Sequence, residues 1–483
     1  MSVRRTILPL LAALAASTVY AQADEATLAR IVDEGKNNSR AMKLLNYMCT
    51  RIGHRLTSSE SLDKAYIWTQ EKFKEFGCVN VHLEQWGEWP VGFQRMKSSG
   101  RLLGATPREL QFTTPSWTEG THGRKRGNVV LAPTTKAEFD SVKATLKGAW
   151  VLYKAAPPRP PRGRPGEAAP AITPEVQAAL DLQKSISEAG ILGSVQGSGN
   201  ELVLTGGNYR DKTYENHPKD VSITIRKSDL EAILKAMEPG KPVQLEFDIN
   251  QKFIPGPRKH YNVIAEIPGT EKPDEIVIVG GHLDSWDGPG SQGAADNANG
   301  TIAAIEAARI LNRAKARPKR TIRFILFTGE EQGLFGSREY VRQHAAEMPK
   351  ISAVFIEDGG ANPESGTYGL ESMQPMLKLI SDVSNKAFPD LPMVNRVVTV
   401  MPRGGGSDHV PFNAVGVPAF FWDEKGSQDY NFVHHTQNDT VDLVPEKYLV
   451  QSATNEAVAA FIVACEAGMM PRDVPPAPRP AAQ

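Results

Sequence analysis

His282, Asp284, Asp296, Glu330, Glu331, Asp358, His434 and His435 are the side chains best suited to do chemistry in this sequence. HLDS stands directly after the apolar run EIVIVGG, and Asp296 ends the glycine-rich stretch GSQGAAD. Glu330 and Glu331 follow TIRFILFTG, Asp358 follows ISAVFIE, and the two histidines open the polar segment HHTQND. Singly, each has an ordinary explanation. A histidine after a strand is usually a satisfied structural residue, and an aspartate before a helix is usually an N-cap. Jointly they predict something else, because carboxylates crowded on one rim repel one another unless a cation compensates them. Imidazoles with carboxylates and no thiolate suit zinc or a similar divalent ion at a reactive site, not a cysteine-rich structural one.

For these residues to meet, the runs before them must be neighbouring strands that end on one rim. Glu275 to Gly281, Thr321 to Thr328, Ile351 to Ile356 and Pro418 to Trp422 read as buried strands. Thr301 to Leu311, Arg338 to Ala345 and Gln374 to Ala387 read as helices between them. The last helix starts at Pro445 and stops by Gly468, with Leu449, Ala453, Ala457, Ala460, Phe461 and Ala464 on one face. Alternating strands and helices predict an α/β fold, a doubly wound and mostly parallel sheet flanked by helices. In such a sheet the active crevice lies beyond the carboxyl ends of the strands. Upstream, Ala26 to Asn46 and Ser59 to Phe76 look helical. The middle of the chain differs: short strand-like runs at Gly127 to Leu131, Ala149 to Tyr153, Gly190 to Val195 and Val243 to Phe247 surround a proline- and arginine-rich stretch, Pro157 to Pro170. Residues 22–100 and 256–470 are expected to form one domain and 101–255 an inserted, β-rich one.

The chain has 483 residues with 55 basic and 55 acidic side chains, and it is 40% hydrophobic. That balance describes an ordinary globular protein, and a neutral chain lacks the basic surface that nucleic-acid binding requires. Arg4 and Arg5, the apolar run Ile7 to Ala16 and small residues up to Ala21 predict a signal peptide over 1–21 and an exported, periplasmic or secreted product. No later run reads as a bilayer span, so no membrane association is expected after cleavage. Residues 471–483 read as a disordered proline-rich tail. Of the three cysteines, Cys465 reads as a buried apolar residue, and Cys49 with Cys78 would be the pair if a bridge forms.

The segments Gly281 to Ser285, Asp296-Asn297, Glu330-Glu331, Asp358, Gly406 to His409 and His435-Thr436 resemble the zinc aminopeptidase family that carries two metals per site. The longer wording HLDSWD (His282 to Asp287), RPKRT (Arg317 to Thr321), EEQG (Glu330 to Gly333) and FVHH (Phe432 to His435) is most similar to its carboxypeptidase Q branch. The resemblance runs from about Tyr261 to Glu466. It implies one zinc on His282 and Asp358, another on Glu331 and His435, and Asp296 bridging both. It further implies that Asp284 orients His282 and that Glu330 is the general base. Two such ions, about 3.5–4 Å apart, would share a water, lower its pKa and polarise the scissile carbonyl. Ser407, Asp408, His409 and His434 match positions near the substrate pocket. The sequence departs from the pattern at Asn297, where the family commonly has a second acid, and in the loop Gly288 to Gly293, which is slightly long. The inserted segment is similar, more distantly, to a protease-associated domain.

The reading is therefore an exported zinc-dependent exopeptidase acting on dipeptides or short peptides, with a homodimer as a candidate assembly. Two other readings stand beside it: a glutaminyl cyclase-like acyl transferase on the same fold, which typically uses one metal, and a binding or receptor homologue without catalysis. The presence of every expected ligand and of Glu330 argues against the last. No GxSxG elbow, GxxxxGK[ST] loop or GxGxxG turn after a strand supports serine-hydrolase, nucleotide-hydrolase or dinucleotide chemistry.

Overall fold

The computed structural model describes residues 23–104, 106–157, 170–237 and 242–473. The expected signal peptide, nearly all of the Pro157 to Pro170 stretch and most of the expected tail lie outside the described residues.

The runs that precede the candidate residues are consecutive neighbours in one six-stranded sheet. Its order is Val79–Arg95, Gln251–Ile267, Arg320–Phe327, Lys272–His282, Ile351–Ile356 and Ala419–Phe421. The last four strands are mutually parallel. Their continuous apolar sequences follow from burial on both faces. Val277 and Val279 pack with Ile302, Ile305 and Phe324 on one side. Ile276 and Ile278 pack with Tyr340, Val341 and Phe412 on the other. The helix Asn299–Arg313 thus covers one face and Phe335–Gln343 the opposite one. The chain reverses direction about Lys272–His282, which makes its carboxyl end the switch point where a crevice opens.

Beside Asn299–Arg313, on the same face of the sheet, lies the helix Glu446–Cys465, whose alanines at 453, 457, 460 and 464 are buried. At 20 residues it is long and apolar enough to cross a bilayer by length and composition, which the sequence reading overlooked. Here 89% of its most apolar window is packed inside the protein, so its apolarity serves the core.

Two 17-residue strands, Val79–Arg95 and Gln251–Ile267, escaped the sequence reading. They pair antiparallel, and Gln251–Ile267 pairs antiparallel with Arg320–Phe327. Pro90, Pro255 and Pro257 disguise them, since proline in a run argues against a strand. Register shifts between Gln85 and Gly87 and between Trp89 and Val91 accommodate the irregularity. The helix expected over Ala26 to Asn46 divides into Glu25–Asn37 and Ala41–Tyr47, because Asn38 leaves helical geometry at φ −126°.

A second sheet takes its eight strands from residues 99–248 and has its own core around Trp150, Ile223, Leu245 and Phe247. It also carries three helices that the sequence reading missed: Lys136–Leu146, Pro174–Glu188 and Lys227–Met237. The first two begin at threonine caps, Thr135 and Thr173, whose hydroxyls accept from Glu138 N and Val176 N. All three cysteines are buried and free, so the Cys49 to Cys78 bridge is not formed. Burial pushes both of those thiols up to about 12.

Candidate metal centre

Three of the four parallel strands deliver candidate residues to the same rim. His282 ends its strand, and its side chain is buried against Asp358, which follows Ile351–Ile356. His282 Nε2 lies 3.0 Å from Asp358 Oδ1 and 3.3 Å from Asp296 Oδ1. On the other side of Asp296, His435 Nε2 lies 3.4 Å from Asp296 Oδ2 and 2.9 Å from Glu331 Oε2. Asp296 therefore turns one oxygen to each imidazole. Donors held about 2.0–2.1 Å from a tetrahedral ion sit about 3.3 Å from one another; the pairs here are 2.9–3.4 Å apart.

The donors are fixed by contacts of their own. His282 Nδ1 donates to the main-chain oxygen of Asp284 at 2.9 Å, with the Asp284 carboxylate 3.7 Å away. Thr57 Oγ1 donates to Asp284 Oδ2 at 2.9 Å, and the amides of Glu330 and Glu331 approach that carboxylate at 3.4 Å. Glu331 Oε1 accepts from Trp286 N at 3.1 Å, which leaves Oε2 directed at His435. His435 holds a left-handed backbone, φ +59°, unusual for a residue with a side chain. Thr205 N, from the loop beside the second sheet, donates to its carbonyl at 2.9 Å.

Three supporting residues carried no signal in the sequence reading. Asp439 Oδ1 accepts from Ala294 N at 3.0 Å and Ala295 N at 2.6 Å, and so pins the loop that presents Asp296. Arg55, fully buried, donates to the carbonyls of Leu283 at 2.6 Å and Gly293 at 2.8 Å. Thr57 is the third. Asp439 falls inside the quoted HHTQND segment, but nothing in its spacing separated a loop anchor from a turn residue. Arg55 lies far upstream and shares no local pattern with the site. Asn297, the departure from the family pattern, is structural. Its amide nitrogen donates to Glu357 O at 2.8 Å, and its oxygen accepts from Gly300 N at 2.9 Å.

The electrostatics favour a cation. Burial opposes charge on His282, yet the carboxylates of Asp358 and Glu330 outweigh it and hold the imidazole well above its usual range. Burial pushes Glu330 and Glu331 well above the usual carboxylate range, and neighbouring acids add to the effect. Burial acts on Asp296 in the same sense, but His282, His435 and His434 overcome it and hold it low. An excess of buried carboxylates over imidazoles, with separate donor groups sharing Asp296, is a set that divalent ions would satisfy.

Other candidates sit at different distances. His434 Nε2 is 3.9 Å from Asp296 Oδ2, and its ring stacks 4.9 Å from Tyr430. Ser407 and Asp408 are buried, and burial pushes Asp408 up to about 7. The His409 ring lies 5.3 Å from Phe421 and 6.4 Å from Tyr368, and burial lowers it to about 4.

Residues 262–461, which contain the whole cluster, match the model of peptidase family M28. Over 446 residues the chain is 28% identical to carboxypeptidase Q of Mus musculus, covering 91% of this chain and 88% of that one. It is 29% identical over 245 residues to aminopeptidase YwaD of Bacillus subtilis, half of each chain. In fold it is similar to a peptidase M28 precursor from Shewanella amazonensis SB2B, with a TM-score of 0.63, 23% identity, and coverage of 94% of this chain and 99% of that one. BSAP, a zinc aminopeptidase from Bacillus subtilis, gives a TM-score of 0.53 and 22% identity over 87% of this chain and 93% of its own. A sheet of this order with imidazoles and carboxylates on its rim, and relatives aligned along nearly the whole length, lead to one conclusion: residues 262–461 match peptidase family M28, and the chain around them is similar to carboxypeptidase Q.

Proposed function

We propose that this metallo-exopeptidase is a zinc enzyme with two ions per chain, hydrolysing dipeptides or short peptides with Glu330 as general base. The observation that carries the reading is the division of Asp296, with Oδ1 3.3 Å from His282 Nε2 and Oδ2 3.4 Å from His435 Nε2. His282 and Asp358 would hold one ion, Glu331 and His435 the other, and Asp296 both. His435 is favoured over His434 for this role because it reaches Glu331 as well as Asp296.

Bound ions of this kind lower the pKa of a water and polarise a carbonyl. The rest falls to the chain's own residues. Asp284 holds His282 through its main-chain oxygen and so fixes Nε2 toward Asp358 and Asp296. Burial raises the proton affinity of Glu330, which suits a base that takes a proton from water and returns it to the leaving amine. Asp439 and Arg55 hold the loops that carry Asp296 and His282. Ser407, Asp408, His409 and His434 are read as neighbours of the substrate pocket. Residues 101–255 are read as an inserted unit that walls the site. The N-terminal pattern at 1–21 supports export, which the N-terminal sequence of the mature protein would test.

Donor groups on both sides of Asp296 favour this reading over a one-metal acyl transferase. The test is turnover of a small dipeptide panel with and without chelator, alongside the variant Glu330→Gln. Hydrolysis that chelator abolishes, zinc restores and Glu330→Gln loses is the expected result. Cyclisation of N-terminal glutamine in place of hydrolysis would overturn it.

A further inference from the structure

A cavity of about 850 Å³ opens beside Glu331, between the rim of the main sheet and the loop 204–211 of the second sheet. Thr113, Thr205, Tyr209, Trp286 and Gln332 line it with Glu331. Two of these side chains carry polar atoms that no described residue satisfies. Trp286 is 8% exposed, and its indole Nε1 is buried without a partner. Gln332 has both its amide nitrogen and its amide oxygen buried without a partner. A buried polar atom left unpaired costs about 1–3 kcal/mol, and such groups in folded proteins are nearly always paired. Three of them on two residues that line one cavity, adjoining a candidate ligand, point to a guest that completes them.

The pattern specifies the guest. Two donor nitrogens and one carbonyl oxygen complement a peptide main chain, which offers carbonyl oxygens and N–H groups in alternation. The rest of the wall is mixed, with Asn208, Arg210 and Asp211 beside Leu204 and Tyr209; packing fixes its aromatic members, since Tyr209 stacks on Trp89 at 3.9 Å and Trp286 lies edge-on to Trp117 at 6.2 Å. Trp286 is also tied to the centre, since its main-chain N–H holds Glu331 and its ring lies 6.0 Å from that of His435. Both residues belong to wording singled out in the sequence, HLDSWD and EEQG, at positions whose side chains the metal site leaves unused.

We propose that Trp286 and Gln332 bind the substrate main chain, the indole Nε1 and the amide nitrogen donating to its carbonyl oxygens and Gln332 Oε1 accepting from its N–H. The inference rests on the peptidase reading above. It makes these residues determinants of binding, with the proton transfers left to Glu330.

The experiment uses Gln332→Ala and Trp286→Phe in the full-length, zinc-loaded protein, with hydrolysis of an unblocked dipeptide measured beside zinc content and thermal midpoint. Affinity for the same dipeptide is also measured by calorimetry in the Glu330→Gln background. Loss of one or two good hydrogen bonds predicts KM and calorimetric Kd raised about tenfold, since 1.4 kcal/mol is tenfold in affinity. The value of kcat stays within about twofold, and zinc content is unchanged. Trp286→Phe keeps the ring and removes only the donor, so it remains informative if Gln332→Ala fails to fold. Wild-type KM and Kd in both variants, with the parent active, would overturn the inference. An inactive, zinc-loaded parent would overturn the peptidase reading instead.

Discussion

Glu331 divides its oxygens between the Trp286 amide and His435, and Asp296 divides its own between His282 and His435. Such division makes the loops around the donors as consequential as the donors. Glu330→Gln keeps the shape of the site and removes the proton acceptor, so turnover falls by a factor on the order of 10²–10⁴ while zinc content stays at the parent level. Turnover near the parent's in that variant would refute the base assignment. Asp439→Asn replaces one acceptor of the loop 294–296 by an amide donor, and second-layer losses of this kind weaken metal binding about 10–100-fold. Competition with a chelator of known affinity reads that change directly; unchanged affinity would show that the loop holds itself. The residues now seen around the site were legible in the sequence where type and strand position coincided, as at His282, Glu331 and Asp358. Asp439, Arg55 and Thr57 were not, because a residue that anchors a distant loop through main-chain contacts needs no particular spacing.

At the scale of elements, Gly300 shows why the strand rim and the helix Asn299–Arg313 must approach so closely. A Cβ there would lie 2.1 Å from Glu357 O and 2.6 Å from Asn297 Oδ1. Helix propensity alone would reward Gly300→Ala by about 1 kcal/mol. The clash with main-chain carbonyl outweighs it, and overpacking of this kind costs about 1–3 kcal/mol. Chemical denaturation is expected to find Gly300→Ala less stable, and its zinc affinity should fall because Asn297 and Asp296 move together; a variant as stable as the parent would contradict this packing. The parallel strands were readable because burial on both faces leaves an unbroken apolar run, as in Ile276 to Val279. The antiparallel pair Val79–Arg95 and Gln251–Ile267 was not, because its prolines, bulges and half-exposed faces erase any clean period. The helix Pro174–Glu188 was hidden for another reason: its cap, Thr173, stands beside a proline-rich stretch that dominates the local composition.

For the whole molecule, buried carboxyls set the response to pH. Burial raises Glu364 to about 8 from an ordinary value near 4.5, with Asn455 Nδ2 donating to it at 2.6 Å. The folded state thus binds a proton that the unfolded chain releases. This contribution to stability is complete below the unfolded value and is lost as pH rises through about 8. The thermal midpoint should fall between pH 5 and pH 9, and Glu364→Gln should flatten that fall; a midpoint that rises over the range would contradict the assignment. Ions that bind only the folded chain add stability by mass action, about 4 kcal/mol at a thousandfold excess over Kd. The most direct test of the central claim is elemental analysis of active, full-length protein, compared with Asp296→Asn. The account predicts two zinc ions per chain in the parent and loss of both in the variant, because each depends on one oxygen of Asp296. Full activity in protein holding no divalent ion, or an Asp296→Asn variant with the parent's metal content, would contradict it.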